Sequence, residues 1–392
     1  MKLQPMNYRS SFPLASLFLA AGASVFCLPL PAASSAKGTA KASGKSRHAT
    51  KRLREARLEG TPKIWEDRGA LTPMKVYFGA ASLRKDPLAS LPAPPFSHFE
   101  PDDKDRMATS PKAKLRDAKN VKWTAKFGVE VHSDTVTPRL AWALGFGTVE
   151  GYYVGPGKIE GVDASTKLGR EKGAILPDGT FPGGARFKRH DKSFDTLKDA
   201  KGNDLTWDEA KNPGVPPEQL SGLLIFEVMV NNWDAQPKNC KVYRLDGPNG
   251  PELWYISADL GASFADRPKH KFVLADYMKE PSFIKRVTGD SVEFNFADVI
   301  PAQERIHQRV SLAHARWFRK QVSKLTDDEI QAAFDAAFAT DGLNRAYASG
   351  DAAAIKAARE KELSADTRAE IAGFAAKFRA KIDELKTKVP EG

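Results

Sequence analysis

A predicted β-hairpin in the middle of the chain is the feature that most constrains its fold. Residues 240–245 and 253–257 are rich in β-branched and aromatic side chains, and residues 246–250 between them have the composition of a turn. Antiparallel pairing about this turn places the flanking residues Asn239 and Asp259 side by side at the open end. The sequence therefore predicts that two polar residues far apart in the chain meet at one point.

A third oxygen-bearing side chain belongs to the same predicted cluster. Asp234 precedes Asn239 by only a few residues, so it can face the point where Asn239 and Asp259 meet. Two carboxylates and an amide oxygen are hard ligands, which suit magnesium and its preference for a few protein oxygens together with phosphate oxygens. One carboxylate would then remain to accept a proton. The spacing alone leaves open the alternative that all three residues simply shape turns.

The basic charge of the chain is concentrated at its N-terminus. The 392 residues carry a net charge of +11, but residues 1–60 hold ten Lys and Arg against Glu55 and Glu59. The remainder is therefore only slightly basic, and we predict no nucleic-acid partner for the folded part. Its composition, 41% hydrophobic and 28% charged, is that of a soluble globular protein with a sizeable core.

Residues 1–36 have the pattern of an export signal. Lys2 and Arg9 precede an apolar stretch over residues 12–30, and small residues follow at 33–36. We predict a periplasmic or secreted protein, with an uncleaved membrane anchor as the alternative. Residues 37–60 are predicted to be a disordered basic linker that can touch an anionic envelope surface. Because Cys27 would leave with the signal, Cys240 has no partner for an internal disulfide.

The remainder is predicted to comprise an N-terminal extension, residues 61–104, packed on a domain of residues 105–392. Alternation over residues 121–127 indicates a half-buried strand with Lys126 on the face of Thr124, and a helix with Asp134 in its first turn follows. Residues 155–217 are rich in Gly and Pro, which indicates a lid or insertion. A buried helix is predicted over residues 220–230, and residues 302–323, 326–338 and 365–387 are predicted to be helical.

Four elements occur in an order that resembles the protein-kinase-like fold: a strand with Lys126, a helix with Asp134, an Asn-x-Asp segment ending at Asp234, and Asp259-Leu-Gly. The spacing is closest to HipA-like and phosphoinositide 3/4-kinase-type kinases, over about residues 105–340. The chain also resembles an exported bacterial family of unknown role. The kinase resemblance implies an α+β fold with two lobes, a small antiparallel-sheet lobe over about residues 105–156 and a mainly helical lobe over about residues 157–392.

The resemblance also implies roles for individual residues. Asp234 resembles the base that deprotonates the acceptor hydroxyl, and Asn239 and Asp259 resemble the ligands of magnesium. Lys126 resembles the lysine that binds the α- and β-phosphates of ATP, and Asp134 the acid that holds this lysine.

The sequence departs from the kinase pattern at several positions. Glu130 is a competing partner for Lys126, which by itself could equally be a solvated strand lysine. Gln236 stands where such kinases commonly have His or Lys, and Lys238 could supply the missing charge. Residues 108–112 take the place of a glycine-rich phosphate loop.

The resulting prediction is an exported, monomeric phosphotransferase that uses ATP and Mg²⁺ to phosphorylate a hydroxyl group of an unidentified protein or small molecule. One alternative is a kinase-like binding or scaffold protein without catalysis, which export favours because nucleotide is scarce outside the cytoplasm. Another is an envelope-polymer binder that acts through residues 37–57. No histidine pairs with Cys or Asp at the usual spacing of zinc ligands, so we predict no zinc site.

Overall fold

The computed structural model describes most of the chain after the predicted linker. The described residues are 59–100, 110–162, 173–190, 195–199, 201–265, 277–279 and 282–392. The predicted export signal and almost all of the predicted linker lie outside them. Within the described ranges, none of the helices combines the length and the apolar composition that a membrane-spanning segment needs.

Strands and helices are interspersed along the chain. The described strands are β1 (Thr61–Lys63), β2 (Phe96–Glu100), β3 (Lys112–Arg116), β4 (Lys122–Phe127), β5 (Tyr152–Val154), β6 (Gly157–Glu160), β7 (Thr180–Phe181), β8 (Ala185–Arg189), β9 (Asp195–Thr196), β10 (Cys240–Gly247), β11 (Gly250–Ser257), β12 (Ile284–Val287), β13 (Ser291–Phe294) and β14 (Arg309–Ser311). The described α-helices are α1 (Pro73–Phe78), α2 (Ser133–Ala143), α3 (Pro217–Met229), α4 (Pro301–His307), α5 (Leu312–Val322), α6 (Asp327–Asp335), α7 (Asp341–Ser349), α8 (Ala352–Glu362) and α9 (Ala365–Lys388). The predicted α+β class is confirmed.

The largest sheet has seven strands in the order β5-β8-β4-β3-β2-β6-β7, paired antiparallel except for β2 with β6. It extends beyond the predicted small lobe in both directions. Strand β2 belongs to the predicted extension, and β6, β7 and β8 belong to the predicted lid or insertion. The sheet therefore includes strands outside residues 105–156, and the division of the chain into lobes stays a prediction. Short strands separated by Gly- and Pro-rich turns carry too few residues for their alternation to stand out in the sequence.

The predicted hairpin is present and organises a second sheet in the order β1-β11-β10-β9. Strands β10 and β11 pair from Cys240 with Ser257 to Gly247 with Gly250, so only two residues form the turn. The backbone amide of Ala258 donates to the Asn239 carbonyl at 2.9 Å and closes the open end. The buried helix predicted before the hairpin is α3, whose residues from Leu223 to Met229 are all buried.

The C-terminal half is mainly helical, as predicted, with one interruption. Residues 302–323 form α4, the short strand β14 and α5 rather than one helix, because Val310 pairs with Val292 of β13. Phe264, five residues after Asp259, anchors this half. Its ring makes edge-to-face contacts with Phe334 and Phe374, and its amide donates to the Val230 carbonyl at 2.7 Å.

His132 joins the start of α2 to the helical half. Its ring stacks on Phe338 with the centroids 4.3 Å apart, and its Nδ1 lies 2.7 Å from the Ala337 carbonyl oxygen. Burial lowers the pKa of His132 below its ordinary value of 6.5. Burial therefore favours the neutral ring, which can donate through Nδ1 to the Ala337 carbonyl oxygen.

We expect the burial of His132 to make the free energy of unfolding depend on pH. Because the folded protein binds fewer protons at His132 than the unfolded chain, its stabilisation is present above the unfolded pKa of 6.5 and is lost as the pH falls through it. One such group contributes at most about 1.4 kcal/mol per pH unit. His132→Asn keeps a donor near the position of Nδ1 without a titratable ring. Urea denaturation between about pH 7.5 and about pH 5 should show a smaller decrease in unfolding free energy for this variant than for wild type. Equal pH slopes would contradict the assignment.

Candidate active site

Lys126 on β4 lies among three carboxylates and is almost fully buried, with 4% of its side chain exposed. Its Nζ forms a salt bridge with Glu130, lies 2.7 Å from Asp134 Oδ2, and lies 3.6 Å from Asp259 Oδ1. Burial opposes the charged form, but the charges of the three carboxylates outweigh it and raise the pKa of Lys126. The predicted pairing of Lys126 with Asp134 is therefore present, and Glu130 joins it rather than replacing it.

The close approach of these groups depends on Gly261 in the Asp259-Leu-Gly segment. A Cβ atom at Gly261 would lie 2.7 Å from Glu130 Oε2 and 3.0 Å from Lys126 Nζ, both closer than such contacts normally come. The Gly261 carbonyl accepts a hydrogen bond from the Ser133 hydroxyl, 2.6 Å away, at the start of α2. The segment after the hairpin is thereby held directly against the lysine and its acids.

Arg186 is a site residue that the sequence analysis missed. Cross-strand pairing places Lys112 of β3, Lys126 of β4 and Arg186 of β8 directly beside one another. Arg186 donates to Asp134 Oδ2 at 3.1 Å, so Asp134 is shared between two cations. Adjacent like charges on a sheet repel, and here the nearby carboxylates offset the repulsion. The alternation of Arg186 and Lys188 with the buried Ala185 and Phe187 was the available signal.

Asp234 is oriented by two amide side chains. Asn239 Nδ2 donates to the Asp234 backbone oxygen at 2.9 Å and to Asp234 Oδ2 at 3.1 Å, and Gln236 Nε2 donates to Asp234 Oδ1. Burial raises the pKa of Asp234, to which the charge of Asp259 adds. By contrast, the Lys126 ammonium lowers the pKa of Asp259. The predicted base is thus the more basic of the two carboxylates.

The site opens into a cleft of about 980 Å³ between the first sheet and the hairpin. Lys126, Asp134, Lys238, Asn239 and Asp259 line this cleft, and Asp234 adjoins it through Asn239. Of the described lining residues, nine are Lys or Arg and four are Asp or Glu. The cleft is therefore positively charged and suits a polyanion.

The phosphate loop predicted at residues 108–112 is only partly described. Residues 108 and 109 lie outside the described ranges, whereas Lys112 lines the cleft. The loop stays a prediction.

The structure contains the four elements on which the resemblance to the protein-kinase-like fold rests, in the predicted order: a lysine strand, an acidic helix, a loop after a buried helix, and Asp-Leu-Gly after a hairpin. No protein-family model and no curated protein matches the sequence.

Two solved structures are weakly similar to the structure of this chain. One is the proinflammatory kinase CtkA of Helicobacter pylori, which is 10% identical over 72% of this chain and 92% of that chain, with a TM-score of 0.38. The other belongs to the HipA, HipB and operator DNA complex of a toxin–antitoxin system of Shewanella oneidensis MR-1, which is 13% identical over 76% and 75%, with a TM-score of 0.30. Function is therefore inferred from the geometry of the cleft alone.

We expect Lys126→Met to destabilise the protein strongly. It leaves Glu130, Asp134 and Asp259 clustered without the cation between them, and breaking a buried ion pair by removing one partner costs about 3 to 5 kcal/mol. Lys158→Met is the control, because that lysine side chain is 62% exposed and its removal should change the unfolding free energy by less than about 0.5 kcal/mol. Guanidinium denaturation measures both. A loss below about 1 kcal/mol for Lys126→Met would show that Lys126 does not hold the carboxylates together.

Proposed function

We propose that this chain is a kinase-like phosphotransferase that moves the γ-phosphate of ATP to a hydroxyl group of a protein or small molecule. The observation that carries this proposal is the convergence of Lys126, Asn239 and Asp259 on one cleft, with Asp234 bonded to Asn239 beside it. Phosphoryl transfer depends mainly on positioning and charge neutralisation. One buried cation, two oxygen ligands and one base are sufficient for it.

The side chains fit magnesium by the chemistry of their donors. Asn239 donates through Nδ2 to Asp234, so its Oδ1 is the atom that can bind a metal. The Asp259 carboxylate, whose side chain is 46% exposed, is kept ionised by Lys126. Both are the hard oxygen ligands that magnesium takes alongside phosphate oxygens. When bound, the ion would neutralise charge on the β- and γ-phosphates.

The remaining residues have separate tasks. Lys126 is held rigidly by its acids and would bind the α- and β-phosphates, while Arg186 and Lys238 add positive charge along the cleft wall. Gln236 and Asn239 would hold Asp234 so that one carboxylate oxygen accepts the proton of the acceptor hydroxyl. A base with a raised pKa removes that proton more effectively than an ordinary aspartate does.

A matched set of variants separates catalysis from binding. Asp234→Asn should keep magnesium-dependent ATP binding, measured as a rise in Tm, but transfer phosphate about 100-fold more slowly or worse, because only the base is lost. Asp259→Asn should lose both magnesium-dependent ATP binding and phosphate transfer. Asp246→Asn, at the exposed end of β10 next to the hairpin turn, should lose neither binding nor transfer.

Transfer is measured from labelled ATP to the protein itself and to mixed acceptors. Undiminished transfer by Asp234→Asn would refute the assigned base. Magnesium-dependent binding by wild type without any transfer would favour the kinase-like binding or scaffold protein, and the absence of such binding would refute the nucleotide site.

We also propose that the protein acts in the periplasm or outside the cell, with residues 37–60 touching anionic envelope material. The export pattern of residues 1–36 and the basic residues that follow support this proposal. Expression of the full chain in a Gram-negative host should yield a periplasmic product that begins near residue 37, as measured by intact mass. Deletion of residues 2–36 should leave the protein in the cytoplasm, and an unchanged periplasmic fraction would contradict an export signal.

A further inference from the structure

A second cluster of titratable side chains lies outside the candidate active site, on elements next to the loop that carries Asp234. Glu209 from the loop before α3, Glu227 on α3 and His307 at the end of α4 are 3%, 0% and 0% exposed. His307 Nε2 lies 2.7 Å from Glu227 Oε2 and 3.6 Å from Glu209 Oε2. One atom from each of the three residues lies within 4.8 Å of the others. Together they provide one nitrogen and several oxygen atoms that could bind a metal ion.

Hydrogen bonds to neighbouring groups orient the potential ligand atoms of these three side chains toward one another. His307 Nδ1 lies 2.9 Å from the Gln303 carbonyl oxygen and donates to it, so Nε2 faces the two carboxylates. The Cys240 thiol lies 3.5 Å from Glu209 Oε1, which leaves Oε2 pointing toward His307. A histidine that binds a metal commonly donates its other ring N–H to a backbone carbonyl in this way.

Two buried carboxylate oxygens in the cluster have no hydrogen-bond donor within the described part of the chain. They are Glu209 Oε2 and Glu227 Oε1. A buried acceptor without a donor is costly, and the single imidazole between the two carboxylates leaves one oxygen of each without a donor. Burial raises the pKa of Glu209, and the charges of Glu227 and Asp298 raise it further while His307 lowers it, so three carboxylates are close together here.

We propose that Glu209, Glu227 and His307 bind a divalent transition-metal ion, for which Zn²⁺ is the best match. Two carboxylates and a neutral imidazole balance the double charge of such an ion. Metal–ligand distances of about 2.0 to 2.2 Å require ligand atoms about 3 to 4 Å apart. The 3.6 Å between His307 Nε2 and Glu209 Oε2 already has this spacing, and the 2.7 Å between His307 Nε2 and Glu227 Oε2 would lengthen when an ion replaced the hydrogen bond between them. The imidazole nitrogen favours Zn²⁺ or Mn²⁺ over Mg²⁺.

This ion would stabilise the loop that carries the candidate base. The Glu227 carbonyl accepts from the Asn232 amide at 2.9 Å, and the Trp233 carbonyl accepts from the Val299 amide at 3.2 Å, next to Asp298. Cys240, whose thiol donates a hydrogen bond to Glu209, directly follows Asn239 in the chain. A cation here would join α3, α4 and the start of β10 beneath Asp234 and Asn239. The role is structural and does not depend on phosphate transfer.

No zinc site was predicted because no histidine has Cys or Asp at zinc-ligand spacing in the chain. Glu227 and His307 are 80 residues apart. The alternative is a cluster without metal, in which protons take the place of the ion. Burial would permit this because it raises the pKa of Glu209 to about 8. The two states differ in bound metal, which can be measured directly.

The first experiment uses the full wild-type chain without nucleotide. Purified without chelator, it should contain about one Zn²⁺ or Mn²⁺ per chain by elemental analysis. Removal of the metal by EDTA should lower Tm by about 3 °C or more, and Zn²⁺ or Mn²⁺, but not Mg²⁺, should restore it. A wild-type chain that contains less than about 0.1 equivalent, and whose Tm does not rise on titration with Zn²⁺ or Mn²⁺, overturns the proposal.

The second experiment locates the ion. Glu227→Gln and His307→Gln keep polar side chains of similar size and should lose the metal and the response to EDTA. Glu329→Gln and His132→Asn change a buried glutamate and a partly buried histidine elsewhere, and should keep both the metal and the response to EDTA. Asp234→Asn should also keep the metal. Full metal content in Glu227→Gln and His307→Gln overturns the proposal even if wild type binds zinc.

Discussion

The buried charge of Lys126 is the interaction on which the site depends. Its ammonium group contacts carboxylates from three parts of the chain: Glu130 before α2, Asp134 within α2, and Asp259 after the hairpin. An ion pair at this depth persists only when its geometry is good, because both charges have lost their hydration. The sheet, the helix and the segment after the hairpin are therefore fixed relative to one another by a single cation.

The same arrangement prepares the cleft for an anionic ligand. Asp134 is shared between Lys126 and Arg186, and Lys112 lies beside Lys126 on the next strand. Acids neutralise part of this positive charge, but the described cleft walls still carry more basic than acidic residues. A polyphosphate would complete the neutralisation. This balance explains why charges that repel one another are tolerated on adjacent strands.

The loop that carries Asp234 is supported from both sides. Above it, Asn239 and Gln236 orient the carboxylate, and the Asn239 carbonyl is tied to Ala258 at the base of the hairpin. Below it lies the buried Glu209, Glu227 and His307 cluster. Preorganisation of this kind matters because a phosphoryl-transfer site acts mainly through positioning.

Local sequence patterns were enough to predict the features that depend on neighbouring residues. Period-two alternation identified β4 and the face of Lys126, turn composition identified the hairpin, and a long apolar run identified α3. Pairing about the turn was enough to bring Asn239 and Asp259 together. Three features became visible only in the folded chain: Arg186 lies beside Lys126, β2, β6 and β8 extend the sheet, and Glu209, Glu227 and His307 meet. The physical reason is that these contacts join residues far apart in the chain, and their geometry comes from packing, which no local pattern encodes.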